Sequence, residues 1–292
     1  DAGVTPPPNG GTVGRDAGTS GNACDPFSTR APEPHVIIAP TGLQPKLLAR
    51  ITAATTSLSV MMYQLTLSTF TNAFIAAHQR GVSVRVLLDM SQAANNGARD
   101  ALQAAGVPFK AAPTEFDHNH AKVLIIDRRE AIVMSANLIG YSMNSERNYG
   151  VINTNADDIT DLEAIFDRDW TGSGVVNLTC TRLVVSPENA RDRLLAFFNG
   201  AARTLDIAVM YLSDRDFVAA VKARKAAGVA VRVLLADPGW IGGNRATATD
   251  LAAVGIPVKF LETLELHAKL VIADGVPFVG SQNYSWTSMT KN

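Results

Sequence analysis

The sequence predicts an α/β protein of two duplicated halves, each a mostly parallel β-sheet flanked by helices, related by a pseudo-two-fold axis. Two observations carry that expectation. First, the chain matches itself when shifted by 147 positions: His120, Lys122 and Asp127 fall on His267, Lys269 and Asp274, and Gly81-Val82-Ser83-Val84-Arg85-Val86-Leu87-Leu88 falls on Gly228-Val229-Ala230-Val231-Arg232-Val233-Leu234-Leu235. A repeat of this length is a duplicated domain rather than a solenoid unit. Second, short β-branched apolar runs alternate with stretches of helical period, the pattern of strand–helix units.

In order along the first half, residues 36–39 form a short apolar strand and 43–54 a helix. Residues 58–63 are a buried strand. Residues 68–80, apolar at Phe70, Ala73, Phe74 and Ala77, form an amphipathic helix closed by Gly81. The Val- and Leu-rich run 82–88 is another buried strand, and 98–105 a helix stopped by Gly106. Residues 123–126 supply a strand body ending in the turn Asp127-Arg128-Arg129. A strand at 149–153 and a helix at 157–170 close the half. The second half repeats the order from Thr181, with a two-residue slip that sets Gly106-Val107-Pro108 against Gly255-Ile256-Pro257. The repeats are expected at 35–175 and 176–292.

Residues 1–34 differ from the rest. Thr5-Pro6-Pro7-Pro8-Asn9-Gly10-Gly11 lacks the apolar content to order itself, so this segment is expected to be a flexible tether. A start at Asp1 reads either as an exported product with its signal peptide removed or as an arbitrary boundary; secretion, or a periplasmic or cell-envelope location, is the working expectation. In an exported chain the only two cysteines, Cys24 and Cys180, are expected to pair, the alternative being two separate thiols. At 292 residues and 47% hydrophobic the chain can bury a large core, and no apolar run is long enough to span a membrane. A net charge of −1 disfavours wholesale coating of nucleic acid, although a local basic groove would not show in that sum.

The chemistry is concentrated in the doubled strings. Each His-Ala-Lys has histidine and lysine two apart, hence on one face of a strand, and each is followed by a Ser-x-Asn, Ser135-Ala136-Asn137 and Ser281-Gln282-Asn283. Two histidines can divide the work of nucleophile and proton donor at a phosphodiester. Lys122, Lys269, Asn137 and Asn283 suit the non-bridging oxygens, and Ser135 and Ser281 can add supporting donors. Since each string holds one histidine, the site is expected where the halves meet.

This constellation resembles the phospholipase D superfamily, whose motif is His-x-Lys-x4-Asp followed by Gly-Ser-x-Asn. The resemblance is to single-chain, two-motif members and covers roughly residues 36–292. The second copy fits through Asp274, Gly280, Ser281 and Asn283; the first has Met134 where glycine is usual. The resemblance implies a metal-free, cofactor-free phosphodiesterase working through a phosphohistidine, with His120 favoured as nucleophile and His267 as acid. It implies that Asp127 and Asp274 are structural. It also implies that the carboxylate orienting a histidine comes from the strand after Ser-x-Asn. Glu146 has the right chemistry there, and Asn148 shares its face. The second half of such a chain would continue beyond Asn292 with a matching strand.

Glycerophospholipid at a membrane or micelle surface is the expected substrate, with phosphatidate and a head-group alcohol as products; a metal-independent endonuclease on the same chemistry is the alternative. A monomer is expected. Tyr141, Trp240 and Trp286 form candidate apolar contacts near the motifs, with His118 at the entrance, though each equally suits simple packing under loops. His118-Asn119-His120 spells a metal-nuclease signature, but the ββα setting that motif needs is not evident. Arg85 and Arg232, inside matched strands, are expected in structural ion pairs, and Asp89 and Asp237, which end those strands, are candidates to line the entrance.

Overall fold

The computed structural model describes residues 31–292, so most of the expected tether and all of Cys24 lie outside the described residues. Cys180 is disulfide-bonded.

The first half runs β1 (His35–Ile38), α1 (Leu43–Ala53), β2 (Ser57–Met62), α2 (Ser68–Gln79), β3 (Ser83–Leu88), α3 (Asn96–Ala104), β4 (Phe109–Ala111), β5 (Lys122–Ile126), β6 (Glu130–Met134), α4 (Gly140–Asn144), β7 (Glu146–Arg147), β8 (Tyr149–Asn153) and α5 (Ala156–Thr171). The second runs α6 (Ala190–Gly200), β9 (Thr204–Val209), α7 (Arg215–Ala226), β10 (Ala230–Ala236), α8 (Asn244–Ala252), β11 (Val258–Leu261), β12 (Glu265–Leu266), β13 (Lys269–Ala273), β14 (Val276–Val279) and α9 (Trp286–Thr290). Local sequence sets these bounds. Leu43, Leu47 and Ile51 recur every four residues and form the buried stripe of α1. The side chain of Asn155 accepts from Asp158 N to start α5, and Gly172, at φ 69°, ends it.

The class is α/β as expected, but the strand directions are mixed rather than mostly parallel. The first sheet has the order β1-β8-β6-β5-β2-β3-β4, and only β2, β3 and β4 run parallel. The second has the order β11-β10-β9-β13-β14, with only β9, β10 and β11 parallel. The reason lies in the motif strands. Asp127 and Arg128 (φ 53° and 54°), in a three-residue loop, and Asp274 and Gly275 (φ 51° and 89°), in a two-residue loop, form left-handed turns. Such turns join only antiparallel neighbours, so β5–β6 and β13–β14 are hairpins. Apolar composition does not encode strand direction.

Helices cover both faces of the first sheet. Leu58, Val60 and Met62 of β2 pack with Leu47, Phe70 and Phe74 of α1 and α2, while Met61, Leu87 and Ile125 face Ile159 and Phe166 of α5. The second sheet packs Leu205, Ile207 and Val209 against Phe198 and Phe217 of α6 and α7. Arg85 pairs with Asp167 at 2.7 Å and Arg232 with Asp206 at 2.6 Å, both structural ion pairs.

The departure at Met134 is accommodated across the sheet. Met134 on β6 is fully buried and lies opposite Gly150 on β8, where a Cβ would come within 2.8 Å of the Met134 Cβ. Ile37 Cγ1 stands at 3.0 Å from the same point, so glycine at 150 answers to both neighbours.

The two halves are stitched by a small parallel ribbon in which Glu146 and Arg147 of β7 pair with Glu265 and Leu266 of β12. His267 N extends it by donating to Arg147 O at 3.1 Å. On the other side of the joint Asp117 N donates to Lys291 O at 2.8 Å. Among the described residues no helix is long and apolar enough to cross a membrane.

Candidate active site

The ribbon and the hairpins bring the two strings to one place. Lys122 and Lys269 begin β5 and β13 and are fully buried. Each folds back so that Nζ donates to the carbonyl oxygen of its own histidine, Lys122 to His120 O at 2.7 Å and Lys269 to His267 O at 2.8 Å. Matched residues flank the ammonium groups: Lys122 Nζ lies 4.8 Å from the Tyr63 ring centre, and Lys269 Nζ 3.7 Å from Met210 Sδ. Tyr63 and Met210 are themselves 147 apart and went unnoticed in the sequence.

The histidines are held crosswise. His120 Nδ1 is 3.0 Å from the Ser281 carbonyl oxygen of the opposite half. His267 Nδ1 is 2.9 Å from Asn148 Oδ1 and 3.5 Å from Glu146 Oε2, also of the opposite half, and gains a further backbone contact from Ser135. Asn148 is oriented by its neighbours: Nδ2 donates to Glu146 Oε2 at 2.9 Å, and Ser135 Oγ donates to Oδ1 at 2.8 Å. Ser142 Oγ completes the chain by donating to Glu146 Oε2 at 2.6 Å. With only an acceptor facing each Nδ1, both neutral rings carry their proton there, and each Nε2 keeps its lone pair.

Electrostatics also join the motifs. Burial, then Lys122 and Lys269, pushes His120 well below the usual imidazole range; burial, Lys269, Lys122 and His120 do the same to His267. Lys269 is lowered to about 7, chiefly by burial, with Glu146 opposing. Lys122 is lowered by burial and by Lys269, against the pull of Glu146 and Asp89. Without a ligand, the site holds four basic groups whose charged forms repel one another. A bound anion would relieve that repulsion.

Asp127 and Asp274 point away from this cluster. Asp127 accepts from the backbone N–H groups of Thr55, Thr56 and Ser57 at 2.7–3.0 Å, and Asp274 from those of Ala202, Arg203 and Thr204 at 2.7–2.8 Å. Burial alone would raise Asp127, but those donors outweigh it and hold the carboxyl well below the ordinary range. Each aspartate thus anchors its hairpin to the start of the neighbouring strand.

The remaining candidates divide. Asn137 and Asn283 precede the short bridges Leu65–Leu138 and Leu212–Tyr284, and each buries Oδ1 with no partner among the described residues, an unused capacity of the kind functional sites retain. The Ser135 hydroxyl is spent on Asn148 and the Tyr149 backbone, while Ser281 meets His120 through its carbonyl rather than its hydroxyl. His118 sits 3.3 Å from Ser91 Oγ and 3.6 Å from Asp89 Oδ2, with its ring against Tyr63, and lines an apolar cavity of about 320 Å³ that also reaches His120, Phe166 and Phe278. The Trp240 ring centre lies 6.3 Å from that of His267. Tyr141 and Trp240 line a second cavity, whereas Trp286 lines neither and lies exposed beside Lys291.

Sequence reasoning also missed two buried asparagines. Asn95 Nδ2 donates to Tyr63 O and Asp89 O at 2.8 Å, and Asn244 Nδ2 to Met210 O and Ala236 O at 2.8 and 2.9 Å, clamping the loops beside the lysines. The signal existed in the two-residue slip, since the pair is 149 apart rather than 147.

Comparison with known proteins agrees with this geometry. The family model described as "Cardiolipin synthase, PLD-like domain" matches residues 47–170 and 194–292. The mitochondrial cardiolipin hydrolase of Danio rerio is 26% identical over 153 residues, which are 52% of this chain and 66% of that protein, so the chain spans just under two thirds of that relative. The phosphatidylserine synthase of Haemophilus influenzae Rd KW20 shares the fold with a TM-score of 0.68, over 90% of this chain and 81% of its own, at 12% identity. The polyphosphate kinase of Porphyromonas gingivalis does so with a TM-score of 0.65, over 87% of this chain but 46% of its own, at 16% identity.

Proposed function

From the premise that this chain belongs to the phospholipase D-like family, whose members cleave or transfer phosphodiesters, we propose that it hydrolyses glycerophospholipids to phosphatidate and a head-group alcohol through a phosphohistidine. The observation that carries the reading is the crossed pair of histidines, each with Nδ1 held by an acceptor of the other half. Support for a lipid comes from the apolar cavity beside His120, from the family's description as cardiolipin synthase-like and from the similarity to the Danio rerio cardiolipin hydrolase. The disulfide at Cys180 supports action outside the reducing cytosol.

In this mechanism a phosphodiester sits between Lys122 and Lys269, with Asn137 and Asn283 turned to its non-bridging oxygens. Its negative charge offsets the repulsion that depresses both histidines, so that one of them can hold a proton. His267 is that one: Glu146, 3.5 Å from Nδ1, stabilises the imidazolium. His120 faces only a neutral carbonyl and keeps its lone pair. Nε2 of His120 attacks phosphorus; the P–O bond to the head group breaks, and the leaving oxygen takes the proton from His267. Neutral His267 then draws a proton from water, whose oxygen displaces His120 and releases phosphatidate. An alcohol in place of water gives transphosphatidylation. The lysines supply the charge stabilisation, and no step calls for a metal or cofactor.

The test is to incubate the purified chain in EDTA with phosphatidylcholine vesicles and, separately, with plasmid DNA. Release of choline without nicking supports the reading. Nicking without choline release overturns it in favour of a metal-independent endonuclease.

A further inference from the structure

His267 is aimed by the side chains of Asn148 and Glu146, whereas His120 is aimed by a backbone carbonyl, that of Ser281. A carbonyl orients an imidazole only if its own peptide is fixed. In the first half the matching serine is fixed by the sheet, where Ser135 N donates to Tyr149 O of β8 at 2.9 Å. In the second half β14 is the edge of its sheet among the described residues, so no neighbouring strand there offers Ser281 N that acceptor. The side chain of Gln282 supplies it instead.

That side chain folds back along its own backbone. Oε1 accepts from Ser281 N at 3.2 Å, and Nε2 donates to Val184 O at 3.2 Å. One orientation of the amide satisfies both groups, since only its oxygen can accept and only its nitrogen can donate. The first bond closes a ring through the Ser281–Gln282 peptide and so sets the direction of the Ser281 carbonyl. The second ties that ring to the connection between the halves, where the neighbours of Val184 are themselves held. Leu183 O accepts from Arg193 Nη1 at 3.0 Å, and Val185 N donates to Asn189 Oδ1 at 2.8 Å. Gly280 leaves room for this fold, because a Cβ there would come within 2.6 Å of Gln282 Oε1. The first half has neither part: Met134 stands in the place of the glycine and Ala136 in that of Gln282.

We propose that Gln282 is a positioning residue for the nucleophile: it locks the Ser281 carbonyl that holds His120 Nδ1, and thereby presents Nε2 to phosphorus. The proposal rests on the reading above, in which His120 attacks, and adds the residue that aims it. The two histidines are then aimed by different means. Side chains of the first half set His267, and a backbone group latched to the inter-half connection sets His120. Alanine suffices at 136 because a strand already holds Ser135.

Two variants separate the amide from the space it fills: Gln282→Ala, which copies the first half, and Gln282→Met, which keeps the length without either hydrogen bond. Nitrogen NMR of the whole chain with labelled histidine, His120 being assigned through His120→Ala, reads the aim directly and needs no substrate. Both variants are expected to move the His120 ring signals toward those of an imidazole exchanging between tautomers, and to leave the His267 signals in place. Unmoved His120 signals overturn the proposal, and so does equal movement of His267, which would mark a general loosening of the site. The second measurement uses a nitrophenyl phosphodiester, whose leaving group needs no proton. Adduct formation at His120 should slow about tenfold or more in both variants, with the half-saturating concentration unchanged. A methionine variant as fast as the wild type overturns the proposal, since the amide would then only fill space. His120 signals that move as expected, in a chain that forms no adduct and cleaves no lipid, support the positioning and overturn the reaction.

Discussion

His267 presents Nδ1 to Asn148 at 2.9 Å although the two residues come from opposite halves of a duplicated chain. The contact depends on β7 pairing with β12, because that ribbon sets Glu146 and Asn148 against the strand leading into His267. The imidazole is therefore aimed by the fold of the other repeat, not by its own.

Asn148→Ala is expected to lower kcat by about a hundredfold, the scale of a misplaced general acid. It also removes the hydrogen bonds that Ser135 Oγ and His267 Nδ1 make to Asn148, leaving each its remaining backbone contact, at a stability cost of about 1 kcal/mol. Glu146→Gln separates positioning from packing. Without the carboxylate the imidazolium is less favoured, so the alkaline limb of the pH–rate profile, set by loss of the proton from His267, should move to lower pH. An unmoved profile would show that Glu146 is only a structural partner of Ser142 and Asn148.

His120→Ala and His267→Ala should each abolish lipid turnover, and their failures should differ. With a nitrophenyl phosphodiester, whose leaving group needs no proton, His267→Ala should still attack and accumulate a covalent adduct at His120, visible by intact mass. An adduct on His267 in the His120→Ala protein would reverse the two roles.

Stability without ligand should rise with pH. Lys269 has an ordinary pKa of 10.5 when unfolded and about 7 in the fold. Between those values the unfolded chain binds a proton that the folded chain lacks, so stability increases across that window. Lys122 and both histidines are depressed as well and act in the same direction. Inorganic phosphate favours the charged lysines, so its stabilising effect should shrink as pH rises through about 7. Melting curves from pH 6 to 9, with and without phosphate, check both trends; a Tm that falls from pH 7 to 9 contradicts the first.

Gly150→Ala should destabilise by about 1–3 kcal/mol, because its new Cβ meets the Met134 Cβ at 2.8 Å. Met134→Gly in the same chain removes the nearest obstructing atom and leaves Ile37 Cγ1 at 3.0 Å, so the double variant should lose less than the two single losses combined. Strict additivity in urea titrations would mean that the sheet shifts to absorb the methyl group.

The doubled strings made the location of the site legible, because His-x-Lys on a strand and Ser-x-Asn after it are local patterns repeated at a fixed offset. The helices were legible for the same reason: Phe70, Phe74 and Ala77 recur with the helical period. Strand direction was not legible in the apolar runs, since Val and Ile suit parallel and antiparallel ladders alike; Asp274-Gly275 was a hairpin signal that went unused, whereas Asp127-Arg128 carries no glycine to announce its turn. The second cavity, lined by Tyr141 and Trp240, was hidden for another reason. Tyr141 lies more than a hundred residues from Glu265, and only the β7–β12 ribbon brings them together. Tyr141 and Trp240 were legible as apolar contacts and Asp237 as a strand-end residue at the entrance, while Glu262 and Glu265, which line the same cavity, carried no sequence signal.

The crossed histidines have a consequence for the chain as it is made. Until residue 267 has emerged and docked, the first half holds an imidazole with no counterpart and no second lysine. On the proposed chemistry, synthesis therefore yields an inert intermediate for most of its duration. Cutting the connection between α5 and α6 should likewise give two silent fragments whose reunion restores activity, a natural two-piece reporter of association.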